Sequence, residues 1–265
     1  MESRYLKTEG IILIAQPYLE SDSLLKILSP KKGLLSAIAK GARKVTSKRA
    51  GVIQPFNQVL FELYRGSTFF VVVQAKNIHP FAYLASDFEK GVILSFAAEL
   101  VVATHQEEQL LNSVYNLLLS FFRLVEEKKA PAGFVYLVGF MLSYLSLIGY
   151  RLPVDRCKGC GRNFEALKCG SLQVEEAGFL CSICSEEKNP FFEELRAVVK
   201  ASYLLESLAE TRRTYLFGAS IKVKGPINKK GLIDVVEKVY RYASIQTGVE
   251  LKSYPLLKQA IESIK

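Results

Sequence analysis

The sequence predicts an α+β multidomain chain, and three observations carry that prediction. Five short apolar segments crowd residues 8–80. After His79-Pro80 the hydrophobic spacing switches from alternate positions to every third or fourth. Two Cys-x-x-Cys pairs, Cys157-Lys158-Gly159-Cys160 and Cys181-Ser182-Ile183-Cys184, then interrupt the helical pattern. The expected architecture is an N-terminal five-stranded β-barrel followed by an α-helical bundle with an inserted four-cysteine zinc-binding module. Expected boundaries are 1–80 for the barrel, 81–152 for the first part of the helical domain, 153–188 for the insert and 189–265 for the second helical part.

Strands are expected over 10–16, 23–28, 34–39, 59–64 and 69–75. Ser29-Pro30-Lys31-Lys32-Gly33 reads as a hairpin turn, and Arg65-Gly66-Ser67-Thr68 separates the last two strands. Five such strands suggest a small closed barrel, with the oligonucleotide-binding (OB) fold as leading candidate and an SH3-like barrel as the alternative. Residues 88–103 form the first amphipathic stretch. Thr104-x-x-Glu107 reads as a capping box opening a second helix that runs through Glu127, with Leu110, Leu111, Val114, Leu117, Leu118, Phe121 and Phe122 at helical spacing. Residues 130–150 carry no charge and are long enough for a thin bilayer. Pro131 at the first turn, with Ser143 and Ser146 inside, favours instead a central helix buried by its neighbours. Asn189-Pro190 is expected to cap a fourth helix, and 229–247 and 255–264 form a last pair.

Charge is distributed unevenly. The net charge is +9, and residues 1–80 hold twelve Lys/Arg against five carboxylates. Between Asp22 and Glu62 there is no acid at all, yet Lys26, Lys31, Lys32, Lys40, Arg43, Lys44, Lys48 and Arg49 lie there. The densest part, residues 40–49, joins two expected strands. Cations this close repel one another unless a polyanion or solvent relieves them, so the loop is suited to a phosphate backbone. A solvated basic loop that only aids solubility is the bland alternative. A second cation group, Arg212, Arg213, Lys222, Lys224, Lys229 and Lys230, extends the same expectation to the C-terminal part, against an equal case for a solvated face. Glu2 and Glu9 interrupt any basic-then-apolar leader, so a cytoplasmic protein is expected.

The four paired cysteines are the strongest chemical signal. Each Cys-x-x-Cys turn offers two thiolates on one edge of a tetrahedron, and two turns complete a structural zinc site on Cys157, Cys160, Cys181 and Cys184. Gly159 and Gly161 ease the tight backbone this requires. Two disulfides, or a redox pair, are the competing readings; a cytoplasmic setting and the lack of a surrounding βαβ unit disfavour them. Cys169 is a spare thiol that could compete as a ligand. His79 and His105 sit in no metal or nucleophile motif, and no phosphate-binding loop or nucleophile elbow is present. No ATPase or hydrolase reading survives.

With these residues in order, the chain resembles the bacterial RecO family of DNA repair and recombination mediators. The resemblance rests on Gly10-Ile11-Ile12-Leu13, Tyr18-x-Glu20-x-Asp22-x-Leu24-Leu25, Gly33-Leu34, Ala39-Lys40-Gly41-Ala42-Arg43-Lys44, Ser47 and Gln54-Pro55-Phe56. It continues through Tyr144-Leu145-x-Leu147-x-Gly149-Tyr150 and the two cysteine pairs, and so spans nearly the whole chain. Ala177-Gly178, where the family often has two glycines, and the extra Cys169 are departures. The resemblance implies a non-enzymatic factor of the bacterial nucleoid that binds single- and double-stranded DNA and anneals complementary strands. Its implied partners are RecR, the C-terminal tail of single-strand-binding protein and, indirectly, the RecA recombinase. Lys31, Lys32, Lys40, Arg43, Lys44, Lys48 and Arg49 would contact phosphates, and Tyr64, Phe69 or Phe70 would either stack bases or pack the core. A zinc-stabilised scaffold that docks proteins while partners hold the DNA is the alternative function. A metal-dependent hydrolase or redox enzyme would need an open zinc position or a reactive thiol.

Overall fold

The computed structural model describes residues 4–107, 111–167, 169–185, 192–211 and 228–264. The chain divides into two compact units, Met1–Phe122 and Arg123–Lys265.

The first unit is built on strands β1 (Tyr5–Tyr18), β2 (Asp22–Ser29), β3 (Gly33–Ala39), β4 (Gln58–Arg65) and β5 (Phe70–His79). They close in the order β1-β2-β3-β5-β4, all antiparallel except the short parallel contact Ala37↔Phe70 and Ile38↔Val71. A closed five-stranded barrel in this order is the OB fold, and the SH3-like alternative is excluded. Alternation explains the closure: Leu25, Ile27, Leu35, Ala37, Val59, Phe61, Leu63 and Val72 turn inward and form one buried cluster. Two further members of that cluster, Ala42 and Ile53, come from the loop between β3 and β4. The loop is therefore pinned to the core at both ends. Asn57, fully buried, fastens it further: its Nδ2 donates to the carbonyls of Gly51 and Val52 at 3.1 Å each, and its Oδ1 accepts from Ala82 N at 2.9 Å.

A 3₁₀ turn (Phe81–Ser86) leads into α1 (Phe88–Thr104), capped by the Asp87 carboxylate on Lys90 N at 3.1 Å. The expected capping box at Thr104 is not formed. Thr104 is the last residue of α1, its hydroxyl donates back to Leu100 O at 2.7 Å, and α2 starts only at Asn112 and runs to Glu127. The reason is tertiary: Glu107 forms a backbone bridge to Leu34 and gives its carboxylate to the barrel.

In the second unit, α3 (Ala130–Leu147) is buried almost continuously from Phe134 to Leu145. Among the described residues no helix is long and apolar enough to cross a membrane. Helix α3 packs against α4 (Phe192–Thr211), where Ser143 Oγ donates to Ser202 O at 3.2 Å. The expected cap of the fourth helix, Asn189-Pro190, lies outside the described residues. Helices α5 (Lys229–Thr247) and α6 (Tyr254–Ser263) follow, joined by Gly248 in the left-handed region and by Tyr240 stacked on Tyr254 at 3.7 Å. Between α3 and α4 the chain forms a short hairpin, β6 (Gly170–Gln173) with β7 (Gly178–Cys181); Cys157 and Cys160 precede it, Cys181 ends β7 and Cys184 follows.

Candidate nucleic-acid interface and metal centre

The expected phosphate-binding cations separate into two places. Lys40, Arg43, Lys44 and Lys48 are exposed on the loop that leaves the last residue of β3. Ser23 pairs with Ala39, Gly41 N donates to Asp22 Oδ1 at 2.8 Å and Arg43 N donates to Ser21 O at 2.9 Å, so the loop lies on the β1–β2 turn. The β4–β5 turn flanks the other side through the Ala37↔Phe70 pair, and Phe69 meets Tyr18 edge-on at 6.3 Å. Three turns thus gather around the C-terminal end of β3, and the exposed cations form a rim there. Lys31 and Lys32 lie in the β2–β3 turn, at the other end of β3 and so about 20 Å away along a seven-residue strand.

Arg49 differs from its neighbours. Its guanidinium donates to the carbonyls of Val72 at 3.2 Å and Val73 at 2.8 Å, which ties the loop to β5 rather than presenting charge to solvent. Two cations that sequence reasoning missed stand beside the rim. Arg65 lies over the Phe70 ring at 5.9 Å, and its backbone N–H donates to Arg4 O at 2.8 Å. They are distant in sequence, and only the β1–β4 pairing Tyr5↔Tyr64 brings them together. Of the candidate stacking aromatics, Phe70 is in the core, Tyr64 packs edge-on against Tyr5 at 5.3 Å, and Phe69 is half-buried at the rim. Val45 and Leu19 project into solvent near the same place, Leu19 with a strained φ of 49°.

Lys26, counted among the eight cations, is already paired. Its Nζ donates to Glu107 Oε1 at 2.6 Å and to Ser36 Oγ at 2.7 Å, while the Ser36 hydroxyl donates to the same carboxylate oxygen. Partial burial pushes the Glu107 carboxyl up, but the hydrogen bonds from Lys26 and Ser36, with the lysine charge, outweigh it and hold the carboxyl below its usual range. In the second unit, Lys229 and Lys230 are exposed at the start of α5. Arg212, Arg213, Lys222 and Lys224 lie outside the described residues.

The four expected ligand cysteines converge. The sulfurs of Cys157, Cys160, Cys181 and Cys184 all lie within 4.8 Å of one another, with Cys160 Sγ and Cys181 Sγ 3.6 Å apart. A tetrahedral ion with sulfur at about 2.3 Å needs edges of about 3.8 Å, so the group can hold one metal ion with little adjustment. The knuckles are preformed. Cys181 N donates to Cys157 Sγ at 3.3 Å, and Lys158 N pairs with Phe179 O at 2.8 Å. Only glycine fits at 159, because a Cβ there would come within 2.9 Å of both the Cβ and the Sγ of Cys184. Burial pushes the Cys157 thiol up, but N–H groups of Cys181, Cys160 and Gly159 outweigh it and bring it down to about 6. Hydrogen bonds with Cys160 and Cys181 push Cys184 up to about 12. Four thiolates so close repel strongly, and a bound dication removes that conflict. Cys169 is not in the group; its Sγ donates to Ser182 Oγ at 2.9 Å. Behind the knuckles, Phe164, Phe179 and Phe192 pack in mutual contact at 4.9–5.7 Å, seating the hairpin on α4.

The family model described as recombination protein O N terminal matches residues 1–81, and that described as recombination protein O C terminal matches residues 85–232. Among curated relatives, the protein named DNA repair protein RecO from Oceanobacillus iheyensis is 29% identical over 260 residues, 96% of this chain and 93% of its own length. Proteins of the same name from Alkaliphilus metalliredigens (30% over 179 residues, 68% of this chain and 72% of theirs) and Desulforudis audaxviator (31% over 186, 69% and 72%) are similar over a shorter span.

Proposed function

This chain belongs to the RecO family of DNA repair proteins, and on that premise we propose that it binds single- and double-stranded DNA without regard to sequence and anneals complementary strands. With RecR it then helps load RecA onto DNA coated by single-strand-binding protein, whose C-terminal tail it contacts. One observation carries the reading: Lys40, Arg43, Lys44 and Lys48 are held exposed around the end of β3 on a loop whose Ala42 and Ile53 are locked in the barrel core. Contacts to phosphate position a strand and read no bases, which suits a factor that must accept any sequence. Bringing two polyanions together is opposed by their own charge, and a fixed cationic rim lowers that opposition by releasing counterions. Arg65 and Arg4 extend the rim, and Arg49 serves to hold the loop. The role so described is non-enzymatic.

The cysteine group holds a single zinc ion in this reading. Sulfur donors at these spacings suit zinc, which when bound supplies a closed four-ligand crosslink with no position left for substrate. Its task is to fasten the β6–β7 hairpin between α3 and α4.

The test is an annealing assay on complementary oligonucleotides across a salt series, with and without single-strand-binding protein. Annealing that is accelerated at low salt and falls steeply as salt rises supports the proposal. A chain that ignores oligonucleotides even in dilute buffer would leave the protein-docking scaffold in its place.

A further inference from the structure

Resting on the nucleic-acid reading above, we propose that Glu107 is an internal stand-in for a phosphate. It occupies a subsite made by Lys26 and Ser36 on the outer face of β2 and β3, and a bound strand must displace it. Lys26 and Ser36 are cross-strand partners. Their neighbours Leu25, Ile27, Leu35 and Ala37 fill the barrel, so by alternation these two point outward. The outer face of strands 2 and 3 is the surface that OB barrels offer to oligonucleotides. There the lysine ammonium and the serine hydroxyl both donate to one carboxylate oxygen. A phosphate oxygen accepts the same pair of donors, one charged and one neutral.

Position supports the assignment. Ser23, paired with the residue just before Lys40, lies three positions along β2 from Lys26, about 10 Å away. A strand running from the rim onto the β2–β3 face therefore reaches Lys26 next. On this outer face Leu28 and Leu34 are buried, whereas Leu24 and Ile38, nearer the rim, are half-exposed. Glu107, bridged through its backbone to Leu34, stands where the covered part meets the open part. The ion pair is also displaceable. Lys26 and Glu107 side chains are 31% and 48% exposed, and pairs this wet contribute little, so an incoming anion exchanges with the carboxylate at small cost.

The experiment measures anisotropy of a labelled oligo-dT across a potassium chloride series with the full-length chain. It compares wild type, Glu107→Gln, Lys26→Gln and the double variant, each checked for an unchanged thermal melt. Glu107→Gln should bind about two- to fivefold tighter, the span expected when one half-exposed ion pair stops competing. Its log–log salt slope should stay that of wild type, because Lys26 meets one phosphate in both once Glu107 has left, whereas Lys26→Gln should flatten the slope by about 0.7. The gain in affinity should vanish when Lys26→Gln is added. Glu107→Ala, which removes the acceptor altogether, should gain at least as much as Glu107→Gln. No gain in Glu107→Gln, or a gain that persists in the double variant and so reflects only a lost negative charge, overturns the proposal. A fifth protein with Lys40, Arg43, Lys44 and Lys48 replaced by alanine separates the two levels. If its slope equals that of wild type, the interface itself is wrong; if the slope falls while Glu107→Gln changes nothing, only the displacement is wrong.

Discussion

Replacing Lys40, Arg43, Lys44 and Lys48 together by alanine should weaken DNA binding by an amount that the structure sets. All four side chains are exposed on the loop around the end of β3. If each neutralises one phosphate of a single strand, their loss flattens the log affinity against log salt plot by about 2.8, at roughly 0.7 per contact. Between 50 and 200 mM salt wild type should then lose about fiftyfold more affinity than the variant. Anisotropy titrations of oligo-dT at five or six salt concentrations read the slope directly. Arg49→Ala is the internal control, because its guanidinium is spent on the carbonyls of Val72 and Val73. It should leave the slope unchanged and instead cost about 1–3 kcal/mol of stability, seen as a melting point lower by several degrees. A quadruple variant whose slope moves by less than about one unit, or an Arg49→Ala variant that flattens the slope as much as a rim lysine, refutes the reasoning.

Three further outcomes are expected. Gly139→Ala would place a Cβ 2.6 Å from the Cβ of Ala201 and 2.9 Å from Ser202 N, so α3 and α4 must part, at a cost of about 1–3 kcal/mol in urea unfolding with unchanged m-value. Ala177, the last residue of the β6–β7 turn, has a φ of 47°, and Ala177→Gly should raise stability by about 1 kcal/mol by removing that strain, read as a higher melting temperature. Chelation should release one zinc per chain and expose the β6–β7 amides to hydrogen exchange while those of α3 stay protected; simultaneous loss of both would show that the ion supports the whole unit.

The barrel was legible because five short, mostly alternating apolar segments separated by turn residues crowd residues 8–80, although the unbroken apolar run of β3 left its inward face to be decided by pairing. The cysteine centre was legible because both ligand pairs are local in sequence, so the fold had only to bring two turns together. What stayed hidden depends on pairings between distant segments. Thr104-x-x-Glu107 satisfies a capping pattern, but the carboxylate is claimed by Lys26, 81 positions away. Arg4 and Arg65 become neighbours only through the β1–β4 ladder. The β6–β7 hairpin escaped notice because two four-residue strands are too short to show a period. Arg49 looked like its neighbours since nothing in a basic run says which member will turn inward.

Because Ala42, Ile53 and Asn57 fasten the loop from below, the course of the backbone that carries its charges is settled while the protein folds. On the proposed reading, an arriving strand meets a loop whose backbone is already held, rather than a whip that has to be stilled on contact. Capture should therefore lose little entropy from the protein side, and any adaptation of shape falls to the flexible partner, the nucleic acid.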